Sequence, residues 1–136
     1  MASWDDVRRI ALALPEASEG TSYGNAAWKV GKKTFAWERP LRQREQQELG
    51  EAAPRGEILG LWVEDLGVKE ALLADDCGHF FTTPHFDGHA AVLVKLEQIG
   101  AAELREVIAE AWLAKAPKRL RAARVFNRHT FWRRWR

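Results

Sequence analysis

Within "HFFTTPHFDGHAAVLV", residues 79–94, the side chains His79, His85, Asp87 and His89 fall inside an eleven-residue span. Two imidazoles and a carboxylate are ligands for zinc or iron, and extended backbone would send His85, Asp87 and His89 to one side. Asp87-Gly88 argues otherwise, because an Asp-Gly pair between alternating apolar runs signals a two-residue hairpin turn. Pairing about that turn sets Phe86 opposite His89, His85 opposite Ala90, Thr83 opposite Val92, Phe81 opposite Val94 and His79 opposite Leu96. His79 and His85 then share a face with Val92 and Val94, while His89 joins Phe86 and Leu93 on the other. With the ligands divided, no metal or cofactor is assigned. His85 is kept as a candidate pocket residue, since an imidazole is readily tuned near neutral pH.

The remaining chemistry is sparse. The chain contains no glycine-rich phosphate loop, nucleophile elbow, HExxH or CxxC, and no catalytic residue is assigned. The pairs Asp5-Asp6, Glu64-Asp65 and Asp75-Asp76 stand at expected helix ends, where carboxylates cap backbone amides. Cys77 is the one cysteine; the neighbouring Asp75 and Asp76 disfavour its thiolate. Seven tryptophans are many for 136 residues. Trp4, Trp28, Trp37, Trp62 and Trp112 fall in expected helices or strands, where they fill a core or wall a pocket. Tyr23, Trp28, Trp37, Trp62 and His85 form the candidate aromatic pocket. Trp132 and Trp135 differ, since they stand among arginines in "RHTFWRRWR".

Charge divides the chain. Residues 1–114 hold 12 Lys and Arg against all 19 acids, a balance of −7, whereas residues 115–136 hold nine Lys and Arg and no acid, +9. An acidic body with a basic end points to nucleic acid or an anionic membrane surface, or to a solvated terminus. The tail aromatics would stack on bases, anchor at a membrane interface, or dock on the body or a second subunit. No charged-then-apolar leader or long apolar run is present, so a cytoplasmic protein without a membrane span is expected.

The elements that must position these residues follow from periodicity. "SWDDVRRIALALP" reads as a helix, with Ser3 and Asp6 as a capping box, Trp4, Val7, Ile10, Ala11 and Leu14 on one face, and Pro15 as the stop. "EASEGTSYGN" reads as a loop, and "AAWKV" and "KTFAWE" as strands paired about Gly31-Lys32. The polar stretch 39–56 reads as a long connection with a helical turn near Arg42 to Leu49. "EILGLWVE" is a third strand and "DLGVKEALLADD" a helix offering Leu66, Leu72 and Leu73 to the core. "HFFTTPHF" and "HAAVLVKL" are strands four and five. "AAELREVIAEAWLAK" is a helix carrying Leu104, Val107, Ile108, Ala111 and Trp112 inward. The expectation is α+β: a two-layer sandwich of a five-stranded, mostly antiparallel sheet with helices on one face, order α-β-β-β-α-β-β-α. Residues 1–120 would be the single domain and 121–136 a basic, aromatic tail.

"ALPEASEGTSYGNAAWKVGKKTFAW" and "FFTTPHFDGHAAVLVKL" together resemble the two sequence blocks of the MmcQ/YjbR-like family, with further likeness in "DLGVKEALLA" and "ELREVIAEAWLAKAP". The resemblance covers roughly residues 4–120. It implies a compact α+β fold of the double-wing DNA-binding type, and includes Pro84, His85 and Gly88 in the family pattern. His89 stands where an aromatic is expected, and the basic end is a further departure.

The leading expectation is a non-enzymatic, sequence-tolerant DNA-binding protein. Arg39, Arg42 and Arg44 would contact phosphates from a wing-like loop, and Lys115, Lys118, Arg119, Arg121, Arg124, Arg128, Arg133 and Arg134 from the basic end. The alternatives are a small-molecule binding or sequestration module built on the aromatic pocket, and a protein-interaction adaptor, including a homo-oligomer formed through the tail. Metal-dependent catalysis ranks last.

Overall fold

The computed structural model describes residues 2–54, 56–75 and 78–123. Expectations that rest on Cys77, Asp76 and residues 124–136 lie outside the described residues. The elements run α1 (Trp4–Leu12), β1 (Ala17–Ser22), β2 (Asn25–Val30), β3 (Lys33–Glu38), α2 (Gln43–Leu49), β4 (Ile58–Trp62), α3 (Leu66–Leu73), β5 (Phe80–Phe81), β6 (Ala91–Lys95), α4 (Ala101–Lys115) and α5 (Lys118–Ala123), with short 3₁₀ turns at Gly50–Ala52 and Pro84–Phe86. The architecture is α+β. The antiparallel sheet has six strands, in the order β1-β2-β3-β4-β6-β5, one more than expected.

The additional strand is β1, which occupies the segment expected to be a loop. Its residues, ASEGTS, show no apolar alternation because it is an edge strand with mostly exposed or half-buried side chains. Register with β2 holds it: Ala17 pairs with Val30 and Ser22 with Asn25. Tyr23 and Gly24 make the two-residue turn, with φ of 51° and 81°, the positive pair that a type I′ hairpin requires. The β2–β3 hairpin forms about Gly31-Lys32 as expected, with Val30 opposite Lys33.

α1 begins at the expected capping box: Asp6 N–H donates to Ser3 Oγ at 3.3 Å, and Ser3 N–H donates to Asp6 Oδ2 at 2.9 Å. Val7, Ile10, Ala11 and Leu14 are buried. Leu104, Val107, Ile108, Ala111 and Trp112 of α4 are buried too, and together with Leu59, Leu61, Val92 and Val94 they build the main core between helices and sheet. α3 differs from expectation. Leu66 is 47% exposed, because Asp65 caps the helix by accepting from Val68 N–H at 2.9 Å and leaves Leu66 at the solvent-facing first position. Leu72 enters the core as expected, joined by Val68 four residues earlier, while Leu73 is only half-buried.

The segment 79–96 is the other departure. Phe80 pairs with Val94 and Phe81 with Leu93, one residue away from the expected register. The connection is longer than two residues, since Pro84–Phe86 forms a 3₁₀ turn entered through Pro84. Asp87 has φ −58° and ψ 130°, Gly88 has φ 79°, and His89 N–H donates to Phe86 O at 3.0 Å. This is a type II turn, in which only the third residue takes a positive φ and glycine suits it. The one-residue slip exchanges faces along β5. Phe80 joins the main core, and Phe81 packs against a second cluster formed by Ile58, Phe86, Ala91 and Leu93.

Candidate functional site: the open face of the sheet

The sheet has two unlike faces. One lies under α1 and α4; the other carries the second cluster, with half-buried Trp37, Leu41, Trp62 and Phe81 packed against it. A β-bulge decides which aromatics reach the second face. Trp28 pairs with Ala36 but Lys29 with Thr34, so Phe35 is the extra residue of β3. Phe35 and Ala36 are both buried in the main core. Trp37 therefore faces away from them, although simple alternation would have put it on the Phe35 side.

Gly60 of β4 pairs with Trp37, and a β-carbon at position 60 would collide with the Trp37 indole. The glycine lets the ring lie on the strand. Trp62 follows two residues on, with its ring centroid 5.9 Å from Trp37 at 42°, and Phe86 lies 6.2 Å from Trp37 at 48°. These tilted contacts suit the ring quadrupoles. Lys115 Nζ sits 4.3 Å from the Trp62 ring centroid, a cation–π contact that supports the indole. Burial, followed by the charge of Lys33, lowers the Lys115 pKa.

Over this aromatic floor is a cavity of about 400 Å³, lined by Ser22, Tyr23, Asn25, Thr34, Trp37, Glu38, Arg39, Pro40, Arg42, Trp62, His85 and Phe86. Such a volume lies in the range of small-molecule pockets. Tyr23 is fully exposed at its positive φ, a costly conformation for a bulky residue that no packing of its ring among the described residues offsets. An adjoining cleft of about 290 Å³ is lined by Arg42, Arg44, Glu45, Glu48, Pro84 and His85. Arg42 and His85 border both spaces.

The wall is rigidly held. Arg39 is only 8% exposed and donates to both carboxylate oxygens of Glu45, at 2.9 and 2.8 Å. Glu45 also accepts from the Arg42 amide at 2.9 Å and from Thr83 Oγ1 at 3.0 Å. Burial pushes the Glu45 carboxyl up, but bonds from Arg39, the Arg42 amide and Thr83 outweigh it and hold the group below its ordinary value. The carboxylate thus fastens α2 to the end of β3 and to the Thr83 loop. On the other side, Lys69 is buried and its Nζ donates to the carbonyls of Phe86 and His89 at 2.7 and 2.8 Å. These bonds fix the turn that presents His85. The bonds from Thr83 to Glu45 and from Lys69 to the turn were not signalled by the sequence, because they join positions 38, 17 and 20 residues apart.

Of the five candidate pocket residues, Tyr23, Trp37, Trp62 and His85 line the cavity. Trp28 does not. It is buried on the helix side, stacks on Trp4 at 6.1 Å, and donates from Nε1 to Glu19 at 3.0 Å. The side-chain direction of β2 excludes it, since Trp28 sits opposite core-facing Ala36. The histidine cluster is dispersed: His79 is buried with Nε2 2.6 Å from Glu103 Oε1, whereas His85 and His89 are exposed. Among the described residues, no three His, Cys, Asp or Glu are grouped to hold a metal.

The candidate phosphate-contacting cations are largely engaged. Arg39 is bound by Glu45, and Arg44 pairs with Glu48 at 3.1 Å. Arg119 makes two bonds to Glu16, at 2.8 and 2.9 Å, and Arg121 lies 3.8 Å from Glu64. Lys115 covers Trp62. Lys118 and Arg42 are exposed, and neither has an ion-pair partner among the described residues. Arg124, Arg128, Arg133 and Arg134 lie outside the described residues. Among those described, no helix is long and apolar enough to cross a membrane.

The YjbR family model matches residues 12–114, which span β1 to nearly the end of α4 and include the whole pocket lining. An uncharacterized protein of Mycobacterium bovis and uncharacterized proteins of two Mycobacterium tuberculosis strains are each 50% identical over 130 residues, covering 93% of this chain and 98% of each relative. No solved structure matches the chain significantly. With the family model spanning most of the sheet and relatives half identical along nearly their whole length, the chain belongs to the YjbR family.

Proposed function

We propose that this protein is a binding module for a small, flat aromatic ligand, held on the open face of the sheet. The observation that carries the proposal is the Trp37–Trp62–Phe86 floor, seated by Gly60 beneath a cavity of about 400 Å³. Proteins usually spend tryptophans on closed cores or on interfaces; here two are half-buried and walled by a buried ion pair that fixes the surrounding loop. The exposed Tyr23 ring at the hairpin tip is available to cover a bound molecule.

A ligand-observed magnetic-resonance screen of aromatic fragments against the full chain tests this reading. Saturable binding that weakens at least about tenfold in Trp62→Ala supports it, tenfold corresponding to about 1.4 kcal/mol. If no fragment binds in a Trp62-dependent way, the reading fails.

The DNA-binding reading is supported by the nine Lys and Arg of residues 115–136 and by the family's double-wing fold type. It is weakened by the carboxylate partners of Arg39, Arg44, Arg119 and Arg121. Salt-dependent binding to duplex DNA, measured with and without residues 124–136, separates the two. Each phosphate neutralised adds about 0.9 to the salt slope, so a slope that survives truncation intact would remove the tail as the binding element.

A further inference from the structure

The two cavities differ in character but share a boundary. The larger has an aromatic floor, the smaller is walled by ionic side chains, and among the described residues only Arg42 and His85 line both. The charges around that boundary are unequally committed. Glu45 accepts four hydrogen bonds, two from Arg39, one from the Arg42 amide and one from Thr83, so its negative charge is compensated in place. Glu48 is engaged by Arg44. Arg42 uses its backbone amide for Glu45, but its exposed guanidinium has no carboxylate partner among the described residues. In a body with a balance of −7 over residues 1–114, this is an unneutralised cation at the mouth of an aromatic pocket. Glu38 lines the larger cavity only, which disfavours an anion there and directs it to the Arg42 and His85 boundary.

We infer that the ligand is an aromatic ring carrying an anionic group, with the ring on Trp37 and Trp62 and the carboxylate or phosphate at Arg42 and His85. The inference rests on the pocket reading and adds the charge of the ligand to it. A guanidinium presents two parallel N–H donors to a carboxylate or phosphate. His85 supplies a third donor from the turn pinned by Lys69. Arg42 is therefore a specificity-determining residue, and its exposed side chain contributes little to the fold.

Calorimetric titration of the full chain with two matched pairs tests the assignment: naphthylacetate against naphthylacetamide, and adenosine monophosphate against adenosine. At least one anion is expected to bind about tenfold or more tighter than its neutral partner, the scale of one charge-assisted contact. The favoured pair distinguishes carboxylate from phosphate. Arg42→Gln should bring the anion down to the level of the neutral compound, with an unchanged melting temperature. Neutral partners that bind as well as the anions would overturn the inference and leave the aromatic pocket standing. Anion preference that persists in Arg42→Gln would overturn the role of Arg42. If none of the four compounds binds, the inference falls, while the pocket reading is decided separately by Trp62-dependent binding in the fragment screen.

Discussion

The two faces of this sheet use the same amino acid in opposite ways. On the helix side, Trp28 and Trp112 are at most 1% exposed, and each indole N–H is satisfied, by Glu19 and by the carbonyl of Pro15. On the open side, Trp37 and Trp62 are half-buried, tilted against one another and bordered by a cavity. The first pair fills space between layers; the second borders space that no described residue fills. Residue type does not separate these roles, whereas position relative to the bulge and the helices does.

The comparison breaks if the two kinds of tryptophan prove energetically alike. Trp28→Ala removes a fully packed ring and its hydrogen bond, and a loss of ~3–5 kcal/mol is expected. Trp62→Ala should cost clearly less, because one side of its ring already faces the cavity. Chemical denaturation of both variants checks this, and equal losses would mean that the open face is as much a core as the closed one.

The closed face contains one charge problem of its own. Glu110 is 1% exposed; burial, opposed by Arg121 and reinforced by Asp65, raises its pKa from 4.5 to about 7. Between those values the native state binds more protons than the unfolded state, so stability falls as pH rises through the window and the full cost stands above it. The shift corresponds to roughly 3 kcal/mol. Glu110→Gln is expected to raise the melting temperature at about pH 8 and to change it little at about pH 4. A gain of equal size at both pH values would assign the effect to packing.

Gly60→Ala probes the open face with the smallest chemical change. The new methyl must displace the Trp37 indole, and overpacking of this kind costs ~1–3 kcal/mol. Circular dichroism of the coupled aromatic rings should shift together with the loss of stability. A neutral substitution with an unaltered aromatic spectrum would show that the indole does not lie on the strand.

Much of this organisation is legible in the chain. The capped first helix, the Gly31-Lys32 hairpin and the inward stripe of α4 all follow from periodicity and turn chemistry. So does the family likeness of the blocks containing Trp37 and His85. Tyr23, Trp37, Trp62 and His85 could be singled out because aromatics and an imidazole are rarely placed without reason. β1 escaped because an edge strand with weakly buried sides carries no alternation. The register of β5 escaped because an Asp-Gly pair serves type I′ and type II turns alike, and the 3₁₀ turn at Pro84 selected the latter.

The first helix, α4, the β2–β3 hairpin, β4 and the division of charge between body and tail are settled by neighbours along the chain and can be read from it, whereas β1, the turn at Pro84 and α5 cannot. Tertiary structure alone decided which tryptophans enter the core and which cations stay free. One bulged residue reverses a strand's faces, and ion pairs such as Arg119 with Glu16 join positions 103 residues apart. Neither event leaves a local trace, since both are settled when separate elements pack together.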